Sequence, residues 1–122
     1  MNSPPYVLLV DDDHQIVRMM KKALETDGFE VLTVTSGKAA LDAVRRRRPD
    51  LLVLDLNMPE PDGFDVLKIE RSQFPYLRIL VISGYLNGAL LEAAKLVGAI
   101  ATIQKPFEPG MLVTKVRELL GS

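Results

Sequence analysis

The chain has 122 residues, with 15 Lys and Arg against 16 Asp and Glu for a formal charge of −1, and 48% hydrophobic and 25% charged residues. This is the size and mixture of one globular domain, and the near-neutral balance argues against a broad electrostatic surface for nucleic acid. There is no cysteine, which excludes disulfides and thiolate metal sites, and the longest apolar runs fall far short of the roughly 20 residues that a membrane helix needs.

Taken in chain order, five short apolar runs alternate with helical patterns. Val7-Leu8-Leu9-Val10 is followed by Ile16, Val17, Met20 and Leu24 on one helical face. Val31-Leu32-Thr33-Val34 precedes the weaker helical set Ala40, Leu41 and Val44, and Leu51-Leu52-Val53-Leu54 precedes the faintest one, Val66, Leu67 and Ile69 after Gly63. Ile79-Leu80-Val81-Ile82 leads to Leu90, Ala94 and Val97; Ile100-Ala101-Thr102-Ile103 leads to Leu112, Val116, Leu119 and Leu120. Runs without in/out alternation suit strands covered on both faces, whereas the intervening segments carry the helical period. Gly28, Gly37 and Gly98 read as breaks between elements, and Pro49 as the lead into the third strand. Strict alternation with right-handed crossovers predicts an α/β fold, a five-stranded parallel sheet with helices on both faces. No linker or repeat is visible, so residues 1–122 are expected to form a single domain with its core at about 6–120. Met1-Asn2-Ser3-Pro4-Pro5 lacks a basic start before an apolar segment, so no secretory signal is predicted and the expected location is cytoplasmic.

Open parallel sheets bind ligands beyond the carboxyl ends of their strands. Asp11, Asp12 and Asp13 follow the first strand, Asp55 ends the third, Ser83 ends the fourth and Lys105 follows the fifth. Asp11, Asp12 and Asp55 held together would repel one another and resist joint ionisation without a cation. Oxygen-only ligands with few carboxylates suit Mg2+. An Asp carboxylate can also act as a nucleophile toward phosphorus. With Asp55 as nucleophile, Lys105 and the metal neutralising charge, and Ser83 donating a hydrogen bond, the set meets the needs of phosphoryl transfer.

Leu8-Leu9-Val10-Asp11-Asp12-Asp13, Leu54-Asp55-Leu56-Asn57-Met58-Pro59 through Asp62-Gly63, Ser83-Gly84 and Lys105-Pro106-Phe107 together resemble a two-component response-regulator receiver domain of the chemotaxis-regulator kind. The resemblance runs from about Tyr6 to Leu120, with four motifs in order. It implies a flavodoxin-like, doubly wound sheet of strand order 2-1-3-4-5. It further implies that Asp55 accepts a phosphoryl group from the phosphohistidine of a sensor histidine kinase or phosphotransfer protein. By the same resemblance, Asp12 ligates Mg2+ directly, Asp11 supports it through water and Asn57 offers its backbone carbonyl. Ser83 and Lys105 then contact the phosphoryl group, and Lys105-Pro106 is a cis peptide. The sequence departs from the family at Thr102, where an aromatic switch residue is usual; Tyr85, two residues after Ser83, is the aromatic that could cover some of the same surface.

Other residues read more plainly. Asp12 with Gln15, or Asp13 alone, would cap the first helix, and Asp13 fits that role better. Ser83 taken alone would be a turn residue. His14, the single histidine, reads as an exposed first-turn residue, and Arg45–Arg48 as a solvated helix C-terminus. The expected function is that of a phosphoacceptor switch rather than a turnover enzyme, with no direct nucleic-acid or membrane contact. The effector or output domain is unspecified, since the chain ends at Gly121-Ser122 just past the last helix. The alternatives are a small phosphatase or phosphotransferase working through an aspartyl-phosphate, and an unphosphorylated interaction module that keeps only the fold.

Overall fold

Each apolar run forms a strand and each periodic stretch a helix in the computed structural model, which describes residues 3–84 and 88–121. In chain order these are β1 (Tyr6–Val10), α1 (His14–Thr26), β2 (Glu30–Val34), α2 (Gly37–Arg46), β3 (Leu51–Asp55), α3 (Gly63–Gln73), β4 (Ile79–Ser83), α4 (Gly88–Val97), β5 (Ala101–Gln104) and α5 (Pro109–Leu120). The strands form one parallel sheet in the order β2-β1-β3-β4-β5. Side chains alternate across it. Leu8, Val10, Leu52, Leu54 and Val81 pack with Ala40 and Val44 of α2, Val66 and Leu67 of α3, and Leu91 and Ala94 of α4. On the opposite face, Val7, Leu9, Leu51, Val53, Leu80 and Ile82 meet Met20 and Leu24 of α1 and Leu112 and Val116 of α5. Each buried aliphatic side chain contributes about 1.5–3 kcal/mol through removal from water.

The expectation that all five runs are covered on both faces holds for β1, β3 and β4, every residue of which is buried. It fails for β2 and β5, whose residues are half-buried or exposed apart from Ile103. Those two strands are the edges of the sheet, and an edge has a neighbour on one side only.

Local chemistry sets where the helices begin. Asp13 caps α1: its Oδ1 accepts from the backbone N–H of Gln15 at 2.9 Å and of Ile16 at 3.3 Å. His14 is exposed, as its first-turn position predicts. Ser36 caps α2 through Ala39 N–H at 3.1 Å, and Asp62 with Asp65 forms a reciprocal capping box on α3. Gly28 and Gly98 take positive φ at helix ends, at 94° and 134°. Gly37 differs from its expected role as a break: it is the first residue of α2. The arginine run is engaged locally. Arg45 lies 3.7 Å from Asp42, Arg47 pairs with Glu30 and stands 4.1 Å from the centre of the Tyr6 ring, and Arg48 lies over Phe74.

Helix α3 departs from its expected face. Gly63, Val66, Leu67 and Glu70 are buried, whereas Ile69 is 36% exposed. The capping box fixes the phase of the helix, and the i, i+3, i+4, i+7 row counted from Gly63 puts position 70 inward and position 69 at the rim. Glu70 is thus enclosed in the core, and neither of its carboxylate oxygens has a hydrogen-bond partner. Burial pushes its pKa up to about 7, against a weaker opposing pull from Arg45. The next residue, Arg71, has the opposite character. Its guanidinium donates to the carbonyls of Phe74 at 3.3 Å, Pro75 at 2.6 Å, Leu77 at 2.8 Å and Gly98 at 2.8 Å. It reaches Gly98 because that residue has no Cβ, which would lie 2.6 Å from the Arg71 Nε.

Folding raises the Glu70 pKa above its ordinary value of 4.5. The folded state therefore binds its proton more tightly, and this group subtracts stability as pH rises from about 4.5 to 7. Glu70→Met is expected to raise the melting temperature at pH 8, with a gain larger than that at pH 5 by about 2 kcal/mol. Thermal or urea unfolding at the two pH values checks this; equal gains at both would contradict a buried carboxylate that ionises at neutral pH.

Candidate functional site

Sheet register brings the predicted residues to one edge. Val10 pairs with Leu54, so Asp11 leaves β1 beside Asp55 at the end of β3. Asp55 pairs with Ile82, which puts Ser83 one step further on, and Ser83 pairs with Gln104, immediately before Lys105. A backbone bond from Lys105 N–H to the Ser83 carbonyl, 2.7 Å, ties the last two strand ends together.

Carboxylate oxygens of Asp11, Asp12 and Asp55 lie within 4.8 Å of one another; Asp11 and Asp55 are buried and Asp12 is exposed at the rim. Backbone amides orient the inner pair. Asp11 Oδ1 accepts from Asp13 N–H at 3.0 Å, and Asp55 Oδ1 accepts from Asn57 N–H at 3.2 Å. Lys105 Nζ lies 2.9 Å from Asp11 Oδ2 and 3.5 Å from Asp55 Oδ2. Burial pushes the Asp55 carboxyl up to about 6, and repulsion from Asp11 adds to this, while the Asn57 amide and the Lys105 ammonium pull the other way. Burial alone would lower the Lys105 ammonium, but its bond to Asp11 and the charges of Asp55 and Asp11 outweigh that and raise its pKa.

Asp11, Asp12, Asp55 and Lys105 are therefore in direct proximity. Ser83 is fully buried at the adjoining strand end, and Asn57 joins through its backbone. Thr102 lies apart, half-buried on β5 opposite Val81. Tyr85 lies outside the described residues. The Lys105-Pro106 peptide is cis, as expected; Glu60-Pro61 is cis as well, which no sequence signal had indicated. Also unforeseen is how closely two glycines press on the loop after Asp55. A Cβ on Gly63 would lie 2.0 Å from the Asp55 carbonyl oxygen, and one on Gly37 would lie 2.2 Å from that of Pro61. Glycines opening helices read in sequence as breaks, and only the packing reveals the space they leave.

Chemically, three carboxylates share one ammonium, which leaves a net negative, oxygen-only cluster open at Asp12. Like charges about 4 Å apart repel by on the order of 4 kcal/mol near a protein surface. A hard divalent cation with few protein ligands and several waters fits such a donor set.

Because Asp55 has a raised pKa, the folded state favours its protonated form. The resulting penalty is absent well below its ordinary 3.8 and complete above about 6. In metal-free protein at pH 7.5, Asp55→Asn is expected to stabilise the fold by about 2–3 kcal/mol, with much less gain at pH 4. Unfolding in EDTA at both pH values tests this, and destabilisation at pH 7.5 would show that the crowding has been overrated.

Comparison with known proteins agrees with this arrangement. The family model for the response regulator receiver domain matches residues 7–117. The transcriptional regulatory protein PrrA of Mycobacterium tuberculosis is 36% identical over 116 residues, covering 95% of this chain and 50% of PrrA, so the chain spans about half the length of that relative. The sporulation initiation phosphotransferase F of Bacillus subtilis is 28% identical over 114 residues, covering 93% of this chain and 92% of that protein. Among solved structures, the receiver domain of NtrX from Brucella abortus superposes with a TM-score of 0.90 at 30% identity, covering 95% of this chain and 98% of that one.

Proposed function

Since this chain belongs to the response regulator receiver domain family of two-component signalling, we propose that Asp55 is its phosphoacceptor, taking the phosphoryl group from the phosphohistidine of a sensor histidine kinase or phosphotransfer protein. The observation that carries this reading is the convergence of Asp11, Asp12, Asp55 and Lys105 from three strand ends, with the Lys105 ammonium 3.5 Å from the Asp55 carboxylate. An Asp55 oxygen forms the bond to phosphorus while the donor P–N bond breaks, its electron pair passing to the imidazole nitrogen. Lys105 exchanges a carboxylate partner for a phosphoryl oxygen, and the Ser83 hydroxyl donates to another. Asp12, Asp55 and the Asn57 carbonyl would hold Mg2+, with Asp11 acting through its hydration shell. When bound, the ion supplies countercharge to the carboxylates and to the phosphoryl oxygens.

The domain is read as a single unit with a core at about 6–120, acting as a signalling switch and not as a turnover enzyme. Among the described residues no helix is long and apolar enough to cross a membrane, and the location proposed with this reading is cytoplasmic. The net charge of −1 and the locally engaged arginine run support a protein partner over direct nucleic-acid contact. The PrrA relative is a transcriptional regulatory protein by name; the output of this chain is left open.

Incubation with a small acyl phosphate and Mg2+ is expected to add one phosphoryl group in wild type and none in Asp55→Asn, with EDTA abolishing the reaction. Mg2+ at ten times its dissociation constant should stabilise the protein by about 1.4 kcal/mol, from RT ln(1 + 10), and Asp12→Ala should remove most of that gain. Mass spectrometry and thermal unfolding read these results, and labelling of Asp55→Asn at the wild-type rate would refute the assignment.

Phosphorylation is expected to move residues 84–88 and α4 more than β5. Thr102 is β-branched and stiff at its first side-chain torsion, so it offers no long lever on that strand, and Tyr85 is proposed as the aromatic that partners read. Backbone amide shifts with and without a phosphoryl mimic, compared among wild type, Thr102→Tyr and Tyr85→Ala, test this. Largest changes at residues 100–104 in wild type would reverse it.

A further inference from the structure

Helices α2 and α3 both open on glycine at their first helical position, behind the caps Ser36 and Asp62. Neither glycine has a positive φ, so what each supplies is space rather than backbone freedom. The tightest contacts in that space come from one segment, the loop between Asp55 and α3. A Cβ on Gly63 would meet the Asp55 carbonyl oxygen at 2.0 Å and Leu56 Cα at 2.5 Å. A Cβ on Gly37 would meet the Pro61 carbonyl oxygen at 2.2 Å, Pro61 Cγ at 3.0 Å and Val66 Cγ2 at 3.0 Å. The loop between Asp55 and α3 is thus caught between the first turns of two helices.

Its near end is equally restrained. Leu56 donates to Ile82 O at 2.9 Å, and its own carbonyl accepts from both Met58 N–H at 3.2 Å and Gly63 N–H at 3.3 Å. Leu56 and Met58 are buried in the same core cluster as Ala40 and Val44 of α2. Asn57 is the exposed residue between the buried Leu56 and Met58, and only Pro59 and Glu60 separate Met58 from Pro61. A shift at Pro61 reaches Asn57 through Met58, whose N–H is bonded to the Leu56 carbonyl across Asn57. The contact atom at Pro61 is backbone, which a rotamer change cannot move aside.

We propose that Gly37 is a positioning residue for the phosphoacceptor loop: by admitting the Pro61 carbonyl against the first turn of α2, it sets where the Asn57 backbone stands relative to Asp55. This rests on the reading of Asn57 and the three aspartates as the Mg2+ site. Gly37 itself touches neither metal nor phosphoryl group.

The test compares Gly37→Ala with Ala43→Gly, which weakens α2 in its interior through helix propensity and leaves the loop contact intact. In metal-free protein, Gly37→Ala is expected to shift the amide resonances of residues 57–62, and Ala43→Gly is expected to leave them in place. Followed by Mg2+-dependent thermal shift, Gly37→Ala should bind Mg2+ about tenfold more weakly, the scale seen when outer-shell support of a metal site is lost. Its labelling rate at saturating Mg2+ should stay within about twofold of wild type, since Asp55 and Lys105 are untouched. Wild-type Mg2+ affinity and unmoved amides in Gly37→Ala would overturn the proposal, as would an equal loss of affinity in Ala43→Gly. Should Gly37→Ala alone fail to fold, it is combined with Glu70→Met, expected above to add stability at pH 8, and wild-type Mg2+ affinity with unmoved amides relative to Glu70→Met alone would overturn the proposal. Failure of the wild-type protein to bind Mg2+ would instead refute the underlying metal reading, while the metal-free amide shifts would still decide the role of Gly37.

Discussion

Three carboxylates held at one edge of a sheet against a single ammonium is the constraint around which the rest of this structure is organised. The oxygens of Asp11, Asp12 and Asp55 lie within 4.8 Å of one another, and two of the three residues are out of water. Such an arrangement is opposed by both repulsion and desolvation, and something else must hold it. The restraint comes from β1, β3 and β4, whose residues are buried throughout, and from backbone amides that engage Asp11 and Asp55 at one oxygen each. The site is locally unfavourable and globally enforced, as strained clusters of titratable groups at functional sites commonly are.

Lys105 occupies the central place in that balance. It sits closest to Asp11, at 2.9 Å, with Asp55 second at 3.5 Å. Its backbone is bound to the strand that ends in Ser83. The cation and the buried hydroxyl are therefore held at the ends of adjacent strands, at the junction between β4 and β5. Thr102 stands on the β5 side of that junction, opposite Val81.

Much of this was legible in the amino-acid order because the relevant signals are local. Five apolar runs separated by helical periods specify a parallel sheet, and an acid, hydroxyl or amine at each of four run ends specifies an edge where ligands bind. What was misread depends on packing partners that a linear pattern does not carry. The run at 31–34 looks as apolar as the run at 51–54, yet it forms the exposed edge β2 because the strand order leaves it one neighbour. Ile69 reads with Val66 and Leu67 as part of the core face of α3; the phase fixed by Asp62 and Gly63 puts it at the rim and turns Glu70 inward. Gly37 reads as punctuation, although its significance lies in a carbonyl oxygen of Pro61, 24 residues further along the chain.

The far end of the molecule is held by a different kind of bond. Arg71 joins the end of α3, the α3–β4 turn and the end of α4 through four backbone carbonyls, including that of Gly98. Carbonyl oxygens do not titrate, and a guanidinium stays charged throughout the accessible pH range. With no counter-ion in these bonds, added salt has no ion pair to screen. These bonds therefore contain neither a titrating acceptor nor an ion pair, unlike the aspartate edge, where Lys105 lies against Asp11 and Asp55. The pH response at this end of the sheet is carried by the buried Glu70 carboxyl at the preceding position of α3, so the last turn of α4 is anchored by bonds that the titration of Glu70 does not enter.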